Sequence, residues 1–145
     1  SSAASDVYKR QVETMRGHTL GRVIYSGGAI PNTNVPGLIG GFAGERVLRA
    51  PCDGIFTAVH RIGDTVEEGE TIGFVEGQPM KCTISGVLRG VLDDGVRVKK
   101  GMKSGDVDPR CKAEYCTTIS DKALAVGGGV VEAVLYLRAK TQGRR

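Results

Sequence analysis

The stretch "DPRCKAEYC" places Cys111 and Cys116 with four residues between them, and thiols at that spacing could do chemistry. Thiolates are soft ligands and good nucleophiles, so the pair is a candidate for holding a soft metal. A structural zinc site would need a second cysteine pair or histidines, usually with tighter spacing. His18, beside Arg16 in "MRGHTLG", could titrate or bind a metal, but no partner stands near it in sequence. Packing is the plainer account of all four cysteines, and for Cys52 and Cys82 it is the only one the sequence suggests. Asp106 and Asp108 in "GDVDPR" could take a hard cation, although an Asx-type turn before Pro109 is the plainer account. The run Gly127-Gly128-Gly129 admits two readings. Either a helix starts after it and its amides cradle an anion, or the glycines let a helix pack closely. It lacks the Lys-Ser/Thr of a phosphate-binding loop, which favours packing. No Ser/His/Asp set, paired-carboxylate motif or nucleotide fingerprint is present, so no catalytic residue is assigned.

These residues sit in a chain of globular composition, 40% hydrophobic and 25% charged, with no Trp. The formal charge of +4 is uneven: residues 47–109 hold 8 Lys/Arg against 10 Asp/Glu, while residues 110–145 hold 7 against 3. The basic excess therefore lies in the flanks, and without interleaved aromatics it reads as a solvated tail rather than a nucleic-acid groove. No apolar run reaches membrane-spanning length and no signal peptide opens the chain, so neither nucleic acid nor membrane is expected as a partner. The cytoplasm is the expected compartment, where the cysteines would stay reduced.

An internal repeat organises the middle of the chain. Laid over one another at an offset of 32, "DGIFTAVHRIGDTVEEGETIGFV" and "SGVLRGVLDDGVRVKKGMKSGDV" match at seven positions without a gap, four of them glycines. Each copy reads as strand, tight turn, strand, with a strand over Ile55 to Ile62 and with Val66 or Val98 turned inward. Two copies are too few for a solenoid and imply a pseudo-twofold duplication. Their loops carry opposite charge, Glu67-Glu68 against Lys99-Lys100, which reads more simply as solvated loop charge than as a device against pairing of like halves. After the repeat, "ISDKALAVGGGVVEAVLYLRA" reads as a helix capped by Ser120, with Leu124, Gly128, Val131 and Leu135 on one face. The opening "SSAASDVYKRQ" has no apolar periodicity, and its second half resembles the in-frame translation of a transposase adapter. Residues 1–11 thus read as a non-native leader on a gene assembled from a metagenome.

The glycine-punctuated halves, carried by "RAPCDGIF" and "IGDTVEEGETIGFVE", resemble the biotinyl/lipoyl barrel-sandwich hybrid, in which two such halves interlock. More narrowly, "RVLRAPCDGIF", "SGVLRGVL", "KGMKSGDVDPR" and "ISDKALAVGGGVVEAVL" together resemble the selenium-dependent molybdenum hydroxylase accessory family of the YqeB type. The likeness extends through "MRGHTLGRVIYSGGAIPNTNVPGLIGGF" and implies a mainly β fold with a C-terminal helix packed on it. The implied organisation is a connecting segment over residues 12–46, leading from a nucleotide-binding-like domain absent from this sequence. A barrel-sandwich hybrid follows over residues 47–109, then a helical segment with a basic tail over residues 110–145.

In a carrier domain of this kind, a lysine at the exposed tip of the joining hairpin receives biotin or lipoate. Here "EGQPMKC" holds Met80-Lys81, but the turn signal is Gly77-Gln78-Pro79, which leaves Lys81 on the returning strand. An edge-strand lysine commonly keeps the edge soluble, and that account is favoured over an acceptor. The expected function is therefore a non-catalytic module of a protein that matures selenium-dependent molybdenum hydroxylases, the xanthine-dehydrogenase-like enzymes. Its expected partners are the hydroxylase or its maturation proteins. No cofactor follows from the residues themselves; a selenium species or a ligand related to the molybdenum cofactor is what the resemblance implies, with Cys111, Cys116 and Gly127 to Gly129 as candidate contacts. The alternatives are a carrier modified on Lys81 and a sandwich domain of a redox complex.

Overall fold

The computed structural model of the chain describes residues 10–33 and 36–143. Most of the expected leader, residues 1–9, lies outside the described residues, as do Arg144 and Arg145 of the basic tail. The fold is mainly β, built of antiparallel sheets with one C-terminal helix. It divides into two units, one of the chain up to Thr33 together with Ile119 onward, the other from Asn34 to Thr118. Among the described residues no helix is long and apolar enough to cross a membrane.

The first unit joins a short hairpin, β1 (Gln11–Val12) and β2 (Val23–Ile24), to the helix α1 (Asp121–Gln142). Val12 pairs with Val23, and the buried Glu13 follows at once. Its carboxylate accepts the Met15 amide at 2.7 Å and the Ile30 amide at 2.9 Å, so one acid ties the hairpin turn to the loop beyond β2. These amides, Ile30 first, hold the Glu13 carboxyl below its usual range. Helix α1 begins where its sequence signals place it: the Ser120 hydroxyl accepts the Ala123 amide at 3.2 Å, and Asp121 occupies the first turn. Residues 12–33, the first part of the connecting segment read over 12–46, pack on this helix. The Arg16 guanidinium grips the Asp121 carboxylate at 2.7 and 3.0 Å, and the Tyr25 hydroxyl donates to Glu132 at 2.6 Å.

The second unit is the repeat made solid. Its strands are β3 (Val47–Arg49), β4 (Gly54–Ala58), β5 (Thr65–Val66) and β6 (Thr71–Val75), then β7 (Gln78–Lys81), β8 (Gly86–Val91), β9 (Arg97–Val98) and β10 (Lys103–Asp108). One sheet runs β3-β10-β8-β5 and the other β7-β6-β4-β9. Shifting the first order by one repeat gives the second, so each sheet takes two strands from each half. The register repeats too. Gly54 pairs with Val98 as Gly86 pairs with Val66, and Thr71 pairs with Lys81 as Lys103 pairs with Arg49. Turn hydrogen bonds follow suit, with the Gly63 amide on the Leu88 carbonyl and the Gly95 amide on the Phe56 carbonyl. Equivalent side chains then meet in one core. Phe56 and Leu88, Val66 and Val98, and Val75 and Val107 are all buried, the two central valines pointing inward. The copies part at a bulge between Asp106 and Val107 in the β8–β10 pairing.

Two local features differ from the sequence reading. Strand β4 ends at Ala58 rather than Ile62, and Val59 and Ile62 are exposed. The hairpin joining the halves turns at Glu76-Gly77, with φ of 47° and 77°, not at Gly77-Gln78-Pro79. Two successive positive φ values make the tight turn that matches strand twist. Glu76, an uncommon residue there, is held by its own carboxylate, which accepts the Ile55 amide at 2.9 Å over the bare Cα of Gly54. Pro79 lies within β7, an edge strand, where its missing N–H costs nothing.

Candidate functional site

Strand β10 ends on a carboxylate almost sealed from solvent. Asp108 is 1% exposed. It receives the Arg110 side chain at 2.6 and 2.9 Å, the Arg110 amide at 3.0 Å and Arg89 at 3.3 Å. The Arg110 hydrogen bonds, helped by the charge of Arg89 and opposed by burial, bring the Asp108 carboxyl down to about 2. Gly86 makes this approach possible, since a Cβ there would strike the Asp108 carbonyl. Asp106, two residues earlier, takes the buried Arg46 at 2.9 and 3.2 Å and Lys103 at 3.8 Å. The two aspartates are thus committed to basic side chains and are not arranged around a hard cation.

This anchored end directs the segment that follows. The Arg110 guanidinium lies 4.4 Å from the Tyr115 ring centroid, and the Lys112 ammonium lies 5.4 Å from it. Between them Cys111 is exposed in the left-handed region at φ 55°, its amide donating to the Asp108 carbonyl at 3.3 Å. A 3₁₀ turn over Ala113–Cys116 brings Cys116 back, half-buried, with its thiol 3.7 Å from the Leu88 carbonyl. The two thiols have different surroundings, one open to a partner and one resting on β8. The other two cysteines belong to the core of the second unit or pack against it. The Cys82 thiol is buried and donates to the Glu67 carbonyl at 2.8 Å; burial pushes its pKa up. Cys52 donates to the Val75 carbonyl at 3.3 Å.

A second feature was not singled out from the sequence. An open cleft of about 400 Å³ is lined by His60, Arg61, Ile62, Leu92, Asp93 and Asp94 among others. These are equivalent residues of the two halves, because 60–62 fall on 92–94 at the offset of 32, so the cleft straddles the pseudo-twofold relation. The His60 ring lies between two carboxylates, Nδ1 at 3.3 Å from Asp64 and Nε2 at 3.1 Å from Glu70. The Arg61 amide, and after it His60, hold the Asp64 carboxyl below its usual range. With both ring nitrogens engaged, His60 is a positioned polar group and not a metal ligand. Its spacing from Asp64 was visible in sequence, but Glu70 reaches it only through the fold.

The remaining candidates are dispersed. His18 is exposed in the first unit, while Cys111 and Cys116 belong to the second. Among the described residues no group of three His, Cys, Asp or Glu side chains is placed to hold a metal ion. Gly127, Gly128 and Gly129 lie inside α1, which starts six residues before them, so their amides belong to the helix and form no anion cradle. Gly129 packs on the hairpin: a Cβ there would strike the Gly21 carbonyl and come within 2.8 Å of Val12. Gly127 and Gly128 face open space. Lys81 is exposed at the end of β7, four residues past the hairpin tip, and is the counterpart of Arg49 in the other half.

No family model matches the chain, and no solved structure matches it. It is similar to the protein named "Uncharacterized protein YqeB" of Escherichia coli (strain K12), 48% identical over 126 residues. That match covers 87% of this chain and 23% of the relative, so the chain spans less than a quarter of the relative's length.

Proposed function

We propose that this chain is a non-catalytic module of an accessory protein that matures selenium-dependent molybdenum hydroxylases. Its scaffold is a barrel-sandwich hybrid of the biotinyl/lipoyl kind that carries no prosthetic arm of its own. The scaffold reading rests on the interlocked sheets, in which strand order and register both recur after 32 residues. The family reading rests on the motifs from "RVLRAPCDGIF" to "ISDKALAVGGGVVEAVL" and is supported by the similarity to YqeB. The observation that carries the local part of the proposal is the Cys111 thiol. It is exposed on a segment pinned by the Asp108–Arg110 pair, five residues before a half-buried second thiol. A rigid end of a β unit holding an accessible sulfur suits contact with a soft species or with a partner that bears one.

Deleting the gene should lower the selenium content of the host's molybdenum hydroxylase, and restoring it should return that content. Unchanged selenium in the hydroxylase of the deletion strain would defeat the proposal. A carrier role would instead put biotin or lipoate on Lys81. Expression in a host that attaches both should yield protein of unmodified intact mass, because the lysine projects from an edge strand and not from the Glu76-Gly77 tip. A mass increase localised to Lys81 would establish the carrier reading in its place. A role as a sandwich domain of a redox complex would be signalled by co-purification with membrane redox subunits.

A further inference from the structure

We infer that α1 is an interaction surface for a second copy of itself, the two helices lying antiparallel. The helix has two apolar faces and only one is covered. Gly129 and Ala133 are buried toward the hairpin, with Gly21 packed on Ala125. On the other side Leu124, Val131 and Leu135 are 69, 59 and 60% exposed. Between Lys122 and Glu132 there is no charged residue at all. A helix apolar all round is ordinarily buried all round, and single scattered surface leucines do not make a continuous stripe.

The exposed face is spaced as a helix-pairing seam. Leu124, Gly128, Val131 and Leu135 follow one another at intervals of four, three and four, the spacing that keeps one stripe turned to a neighbouring helix. Extended by one position each way, the stripe ends on Asp121 and Arg138. Antiparallel pairing about its midpoint sets Leu124 against Leu135 and Val131 over Gly128 of the second copy. Asp121 then faces Arg138. The contact is therefore complementary to itself in shape and in charge: a side chain lies over a position with no side chain, and an acidic first turn meets a basic last turn. Asp121 is already joined to Arg16, and its side chain is still 72% exposed, so it is open to a further cation. The aligned helix dipoles favour the same orientation. Gly128 has nothing within 4 Å of where its Cβ would be, which gives the incoming Val131 its space. Val130 and Val134 lie round on the hairpin side of the helix, with Val12 and Ala133, outside the seam.

Sedimentation equilibrium of the purified chain tests this directly. The chain should sediment as a reversible dimer, and Leu135→Glu, which puts a charge against Leu124, should make it monomeric while the circular dichroism stays that of the parent. Arg138→Ala lies on the surface and cannot disturb the core. It removes two Asp–Arg pairs per dimer and should raise the dissociation constant about fivefold. A chain that is monomeric at every concentration overturns the inference, since the face is then covered from elsewhere. Tighter association of Arg138→Ala overturns the antiparallel arrangement, because only parallel helices bring the two Arg138 side chains together.

Discussion

Replacing Asp108 by asparagine removes one charge from the end of β10 and keeps the size of the side chain. The carboxylate it replaces is 1% exposed, accepts four hydrogen bonds from Arg110 and Arg89, and has its carboxyl lowered from 3.8 to about 2. A shift of that size is worth about 2 kcal/mol of preference for the charged form in the folded state. The amide also leaves Arg89, only 23% exposed, without its counter-charge, which adds to the loss. Asp108→Asn should therefore destabilise the protein by about 2–3 kcal/mol at pH 7, read as a lower urea midpoint at unchanged slope. The same pair sets an acid limit. A carboxyl whose pKa falls on folding stabilises fully above its unfolded value. That contribution should thus be intact above pH 4 and vanish as the pH falls toward 2 in the parent, and be absent from the variant throughout. A loss below about 0.5 kcal/mol, the range of an ordinary surface change, would refute the claim that this pair anchors the thiol segment.

Three further outcomes follow from the packing. Gly129→Ala should destabilise the first unit by about 1–3 kcal/mol, because its methyl meets the Gly21 carbonyl and Val12. Gly127→Ala, facing open space, should stabilise the helix by about 1 kcal/mol, and thermal melts followed by helical circular dichroism separate the two. Cys111 should react with a disulfide reagent at the rate of an open thiol, whereas Cys82 should react only on unfolding; peptide mapping of the labelled protein checks this.

Much of the second unit could be read from spacing alone. Glycines at 54, 63, 69 and 73 recurring at 86, 95, 101 and 105 mark the same turns twice, and the structure repeats them down to strand register. What escaped depended on contacts distant in sequence. A glutamate in a left-handed turn carries no sequence signal; its reason is the Ile55 amide, so the signal Gly77-Gln78-Pro79 places the hairpin tip one residue late. The cleft is assembled from two loops 32 residues apart, with Glu70 joining His60 from a third place. Residues 12–33 have little periodicity, yet they fold because buried Glu13 satisfies amides on both sides of the hairpin. In α1 the spacing puts Leu124, Gly128, Val131 and Leu135 on one face. The packed face is the one through Gly129 and Ala133, since only there can the Gly21 backbone come close.

The central claim is that this chain serves hydroxylase maturation through its thiol segment, on a scaffold that bears no cofactor. The most direct test is the selenium-to-molybdenum ratio of the hydroxylase, measured by elemental mass spectrometry. The enzyme would be purified from a deletion strain restored with either the parent gene or the Cys111→Ser/Cys116→Ser variant. The account predicts a full ratio with the parent and a ratio reduced to that of the deletion strain with the variant. Equal ratios from both strains, with the two proteins present at equal levels, would contradict it.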